Sequence, residues 1–73
     1  MHYFKQLPRA IVESIQNFPP SSIKNAARLV NFYLKDGTAR NEVLVVGNEY
    51  YCMDMDKHKY FEPDEITLVE AAN

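Results

Sequence analysis

The chain has 73 residues, 47% of them hydrophobic and 25% charged, with a formal net charge of −2. A chain this short buries only about 60% of the surface its unfolded form exposes, so residues 1–73 are expected to form one domain with a thin core. The hydrophobic share excludes disorder, the net negative charge argues against a dedicated nucleic-acid binder, and the single Cys52 excludes an intrachain disulfide.

Domains of this size are commonly held together by disulfides, a metal or self-association, and here the last two remain. The N-terminal run Met-His-Tyr-Phe-Lys-Gln-Leu-Pro-Arg lacks the apolar core of a signal peptide, and no stretch approaches the length of a bilayer span. A cytoplasmic protein without membrane contact is therefore expected, with Cys52 acting as a small buried hydrophobe in a run rich in tyrosine and methionine. Charge is unevenly spread, with six cations against two anions through residue 40 and two cations against eight anions after it. Such polarity bears on association with an anion, an acidic partner or another subunit, although an ordinary solvated surface is the simpler reading.

In chain order, Leu7, Ala10, Ile11, Ile15 and Phe18 recur at helical spacing with Arg9, Glu13, Gln16 and Asn17 opposite, which predicts an amphipathic helix over about 7–18. Pro8 suits a first helical turn, and Arg9 and Glu13 lie four apart as a surface pair. Phe18-Pro19-Pro20 ends the helix, because a residue before proline is pushed out of the α region.

Residues 22–34 read two ways. Ser22 is a capping residue ahead of Ile23, Ala26, Ala27 and Val30, whereas Val30-Asn31-Phe32-Tyr33-Leu34 is rich in strand formers; a helical turn near 22–27 and then strand is the reading adopted. Asp36-Gly37 between apolar runs is a strong signal for a two-residue hairpin, and Gly47-Asn48 marks a second turn. Two-residue turns place Val30 opposite Val43 and Phe32 opposite Asn41. One face then collects Val30, Phe32, Leu34, Ala39, Val43, Val45, Tyr50 and Cys52 as the core. The other collects Leu29, Leu44, Val46, Tyr51, Met53 and Met55, an apolar set that a solvated sheet face does not need. Either the sheet curls into a small barrel or Leu44, Val46, Tyr51, Met53 and Met55 form a protein interface, with a homo-oligomer or another protein as partner. Asp56 to Lys59 read as a polar turn, Tyr60-Phe61 as a short strand, Glu62 to Glu65 as a tight or 3₁₀ turn, and Ile66 to Glu70 as a last strand.

The fold class is therefore α+β: an N-terminal amphipathic helix packed on a four- to five-stranded antiparallel β-meander over about 28–70. The helix, the meander, Leu34, Asp36 and Gly37 at the first hairpin, and Ile66 and Val69 in the last strand resemble the small barrels of the Sm-like family and SH3-like folds generally. That resemblance implies a closed barrel, association through edge strands and, by analogy, RNA binding. It departs where Sm-like proteins usually carry a glycine that lets the second strand bend, since this sequence has Glu42 or one of its neighbours there. The family's second signature is not recognisable, and its RNA-contacting residues do not transfer.

Candidate chemistry is sparse. Asp54, Asp56 and Glu65 imitate a calcium loop, but Lys59 stands where its sharp turn demands glycine. Asp54, Asp56 and His58 alternate as a transition-metal site would, without a third or fourth ligand at confirming spacing, so neither metal nor cofactor is expected. Cys52 with His58 or His2 lacks an orienting group and an oxyanion pocket, which leaves an enzyme without a residue constellation. The basic first half makes Arg28, Tyr33, Lys35 and Arg40 the candidate nucleic-acid contacts, with Tyr33 as the stacking residue.

Overall fold

The structure, a computed structural model, describes residues 2–18 and 27–72. Its elements are β1 (His2–Gln6), α1 (Arg9–Gln16), β2 (Ala27–Leu34), β3 (Ala39–Val46), β4 (Tyr50–Asp54) and β5 (Ile66–Ala71), with a 3₁₀ turn at Pro63–Glu65. The strands form one antiparallel sheet in the order β1-β4-β3-β2-β5. The fold is α+β, and the sheet is open: β1 and β5 are its two edges and do not pair, so the closed Sm-like barrel is not formed.

The helix is not the first element. Residues 2–6 pair with β4, His2 opposite Asp54 and Gln6 opposite Tyr50. Their mixed composition shows no clean alternation, which hid this strand from the sequence. Pro8 is the N-cap of α1 in extended conformation (ψ 150°), and its carbonyl accepts the N–H groups of Ile11 and Val12, each at 3.0 Å. Ile11 and Ile15 are buried with Leu7, while Val12 and Phe18 pack partly against the core. Each fully buried isoleucine is worth about 1.5–3 kcal/mol. The α1 helix leaves the β1 edge yet touches β5. Sheets of this kind twist and coil, and α1 crosses the concave side, where Ile11 and Ile15 join the core.

Both hairpins carry one residue more than the two-residue turns predict. At the first, Leu34 and Thr38 bracket Lys35-Asp36-Gly37: the Leu34 N–H donates to Thr38 O at 2.9 Å and the Gly37 N–H to Leu34 O at 3.0 Å. Gly37 sits at φ +87°, left-handed space that glycine enters without a Cβ clash. Tyr33 and Phe32 consequently face Ala39 and Arg40. A β-bulge then places Asn41 and Glu42 against Asn31 alone, which restores Val30 opposite Val43 as the sequence predicts. Ala39 is thereby exposed rather than in the core, and Arg40 takes its side of the sheet. The second hairpin turns through Gly47-Asn48-Glu49, with Val46 opposite Tyr50. No bulge compensates, and a one-residue slip turns every side chain of β4 over. Tyr51 and Met53, expected outside, are fully buried; Tyr50 and Cys52, expected inside, lie on the outer face.

The core consists of Leu7, Ile11, Ile15, Val30, Phe32, Leu34, Val43, Val45, Tyr51, Met53, Phe61, Ile66 and Val69. Tyr60-Phe61 is not a strand; Phe61 instead stacks on Tyr51 with centroids 5.1 Å apart and planes 7° from parallel, and Phe32 stands edge-on to both rings. Such contacts add about 0.5–1.5 kcal/mol per pair beyond area burial. The Tyr51 hydroxyl donates to Phe61 O at 3.2 Å, and burial pushes its pKa well above the ordinary tyrosine value. The following 3₁₀ turn is closed by a capping box in which the Glu62 N–H donates to the Glu65 carboxylate at 2.6 Å. The helical turn expected near 22–27 lies outside the described residues except for Ala27, which opens β2.

Candidate interaction face

Antiparallel pairing carries alternate residues of four strands onto the convex face of the sheet. Leu29 is opposite Leu44, Leu44 opposite Cys52, and Cys52 opposite Phe4. These four form one row across β2, β3, β4 and β1, about 14 Å long at the ordinary strand spacing. The adjacent row is Ala27, Val46, Tyr50 and Gln6. Neither row contains a charged residue, in a chain of which a quarter is charged. Phe4 and Tyr50 are 63% and 44% exposed, and Leu29, Leu44, Val46 and Cys52 are half-buried.

Of the five residues expected at a protein interface, Leu44 and Val46 lie in this band. Met55 is exposed beyond the end of β4, and Tyr51 and Met53 are in the core because of the β4 inversion. Phe4, Tyr50 and Cys52 replace them. Phe4 was legible only through β1, and the other two through the length of the second turn. Toward the other edge, Tyr33 pairs with Leu68, which is 54% exposed. The Tyr33 hydroxyl donates to Glu70 Oε1 at 2.6 Å, and this hydrogen bond raises the Tyr33 pKa.

The four candidate nucleic-acid contacts do not converge. Tyr33 is on the convex face and engaged with Glu70, and Lys35 is in the hairpin tip. Arg40, on the concave side, lies over Phe61 at 5.8 Å and donates to Thr38 Oγ1, Ala39 O and Lys59 O. Arg28 lies over the Phe18 ring at 5.9 Å. Four strand residues separate Arg28 from Phe32, the partner of Arg40, or about 13 Å.

The loop after β4 is a closed turn. Asp54 O accepts the N–H groups of Lys57 and His58, and Asp54 Oδ1 accepts that of Asp56. His58 turns to the bulge, where Nε2, since a carbonyl can only accept, donates its proton to Asn41 O at 3.0 Å; Nδ1 is buried without a hydrogen-bond partner among the described residues. Among the described residues no three of His, Cys, Asp and Glu are gathered as metal ligands would be. Depressions of about 500 Å³ beside Glu42 and His58 and about 420 Å³ beside Arg9 and Glu49 are open to solvent, and the second is mainly polar. At the bulge, Glu42 is held at φ +55° with its N–H donated to Asn31 Oδ1 at 3.0 Å. Glu42 thus adopts a conformation that glycine favours.

Fold and face together describe a small α+β domain with an open, curled sheet and an uncharged apolar band on its convex side. Comparison with known proteins finds no matching family, curated protein or solved structure. Among the described residues, no helix is long and apolar enough to cross a membrane.

Proposed function

We propose that this chain is a non-catalytic interaction domain that self-associates through the convex face of its sheet. The observation that carries the reading is the uncharged row Leu29, Leu44, Cys52 and Phe4, continued by Val46 and Tyr50. A two-fold contact sets the same patch against itself, so a charge near the axis would meet its own image. This band has none, which favours a second copy of the chain over a charged partner. Sheets stacked face to face lie about 10 Å apart and interdigitate such side chains.

The size of the face sets the expected strength. The four strands that carry the band, about 4.8 Å apart and about 17 Å long, give a planar footprint of about 250 Å², well below the roughly 800 Å² each partner contributes to a standard interface. Weak association is therefore expected, visible as a mass that rises with concentration. Light scattering on a sizing column at two salt concentrations tests it. The wild type should show a mass that rises with concentration and that high salt does not lower, and Leu44→Glu should stay folded with a lower mass at the same concentration. Unchanged assembly of Leu44→Glu would remove the basis for the reading.

A further inference from the structure

We propose that the edge of β1, unpaired among the described residues, pairs with β1 of a second copy, antiparallel and centred on Phe4, joining two five-stranded sheets into one of ten strands. The inference rests on the self-association reading but concerns a different surface, the backbone of an edge strand rather than the side chains of a face.

The orientation of the free backbone groups follows from one hydrogen bond. The Leu7 N–H donates to Glu49 O at 2.7 Å, in register with the β1–β4 pairs. Antiparallel partners alternate between hydrogen-bonded and non-hydrogen-bonded pairs, so Leu7, Lys5 and Tyr3 direct their backbone groups to β4. Phe4 and Gln6 direct theirs to the open side. An edge of this kind is a template for another strand unless it is blocked by proline, a bulge or a charge. Residues 2–6 contain no proline, their pairing with β4 is unbroken, and the one charge, Lys5, is drawn to the concave side. There its ammonium lies 5.4 Å from the Tyr60 ring centre and 3.7 Å from Glu62 Oε2, and Tyr60 and Glu62 both raise its pKa.

The two-fold axis leaves few registers. A two-fold antiparallel pair must set one residue against its own copy. Centring on Lys5 sets ammonium against ammonium, and centring on Tyr3 or Gln6 shortens the overlap. Centring on Phe4 overlaps all five residues, sets the Phe4 rings side by side, and places Lys5 opposite Tyr3 of the second copy, a cation beside an aromatic ring. Each Phe4 N–H then donates to the other Phe4 carbonyl, and the Gln6 groups meet those of His2. The apolar row becomes continuous, running from Leu29 through Phe4 into the second copy.

Amide hydrogen exchange measured by NMR across a concentration series tests the pairing on the intact chain. The Phe4 amide faces solvent in the monomer, so its exchange should slow at least tenfold as light scattering reports assembly, while the Lys5 amide, already bonded to β4, changes little. Gln6→Pro removes an edge donor that β4 does not use and should lower the mass without unfolding the sheet. Unprotected Phe4 in fully assembled protein would overturn the pairing whether or not the proline variant folds. Assembly lost in Leu44→Glu but intact in folded Gln6→Pro would also overturn it and leave the face contact standing. The converse pattern would support the edge and sink the face.

Discussion

Replacing Glu42 by glycine should stabilise this protein. Glu42 is held at φ +55°, and a residue bearing a Cβ loses about 1–2 kcal/mol there relative to the right-handed region, a penalty glycine escapes. Against this stands the larger backbone entropy glycine loses on folding, roughly 0.5–1 kcal/mol. Among the described residues the Glu42 carboxylate has neither an ion pair nor a hydrogen bond, and the N–H donated to Asn31 Oδ1 survives the change. The net expectation is a gain of about 0.5–1 kcal/mol, which for a domain of this size corresponds to about 2–8 °C in Tm. Urea unfolding should show a higher midpoint at unchanged slope. Glu42→Ala is the control, since it removes the same carboxylate while keeping the Cβ, and should gain nothing. Equal midpoints for the glycine and alanine variants, or a loss in Glu42→Gly, would refute the assignment of strain to this position.

The bulge has a second support. Asn31→Leu should destabilise by about 1–2 kcal/mol in urea, because the Glu42 N–H loses its acceptor. Tyr51→Phe leaves the Phe61 carbonyl without its donor and should lose about 1–2 kcal/mol, while Met53→Glu should unfold the chain rather than release soluble monomers; a folded, monomeric Met53→Glu would contradict its place in the core. The Thr38 hydroxyl and N–H, at 2.6 Å and 2.9 Å from Asp36 Oδ1, hold its carboxyl below the ordinary carboxylate pKa of 3.8. Since the folded value is the depressed one, the contribution of Asp36 is complete above that ordinary value and fades as pH falls through the folded one. Asp36→Asn should flatten this acid limb in a pH series of urea midpoints, and an unaltered limb would exclude Asp36 as its source.

The amphipathic spacing of Leu7, Ile11 and Ile15 predicts a helix and its buried stripe because those contacts are local, three or four residues apart. Val30 and Phe32 on β2, and Val43 and Val45 on β3, are likewise assigned to the core by alternation alone. The opposition of Val30 and Val43 is predicted correctly for an incomplete reason, since an extra turn residue and an extra bulge residue cancel in the register. At the second hairpin nothing cancels. Whether Gly47-Asn48 is a two- or three-residue turn decides which of Tyr50 and Tyr51 faces inward, and composition does not distinguish them, because the two are adjacent and identical. Burial of the larger set, Tyr51 with Met53 against Phe32 and Phe61, decides it through contacts ten or more residues apart.

The remaining differences share that origin. β1 becomes a strand because β4 offers it an edge, and Phe4 becomes part of a face only through that pairing. The open sheet, as opposed to a barrel, depends on which strands end at the edges, a global property that no window of sequence records. The sequence by itself determined one α+β domain, the helix, the first hairpin and an apolar surplus beyond the needs of one core. Tertiary structure alone decided where that surplus lies. Side-chain alternation has a period of two, so a single residue gained in a loop moves a whole strand between inside and outside, and only packing across the sheet selects between them.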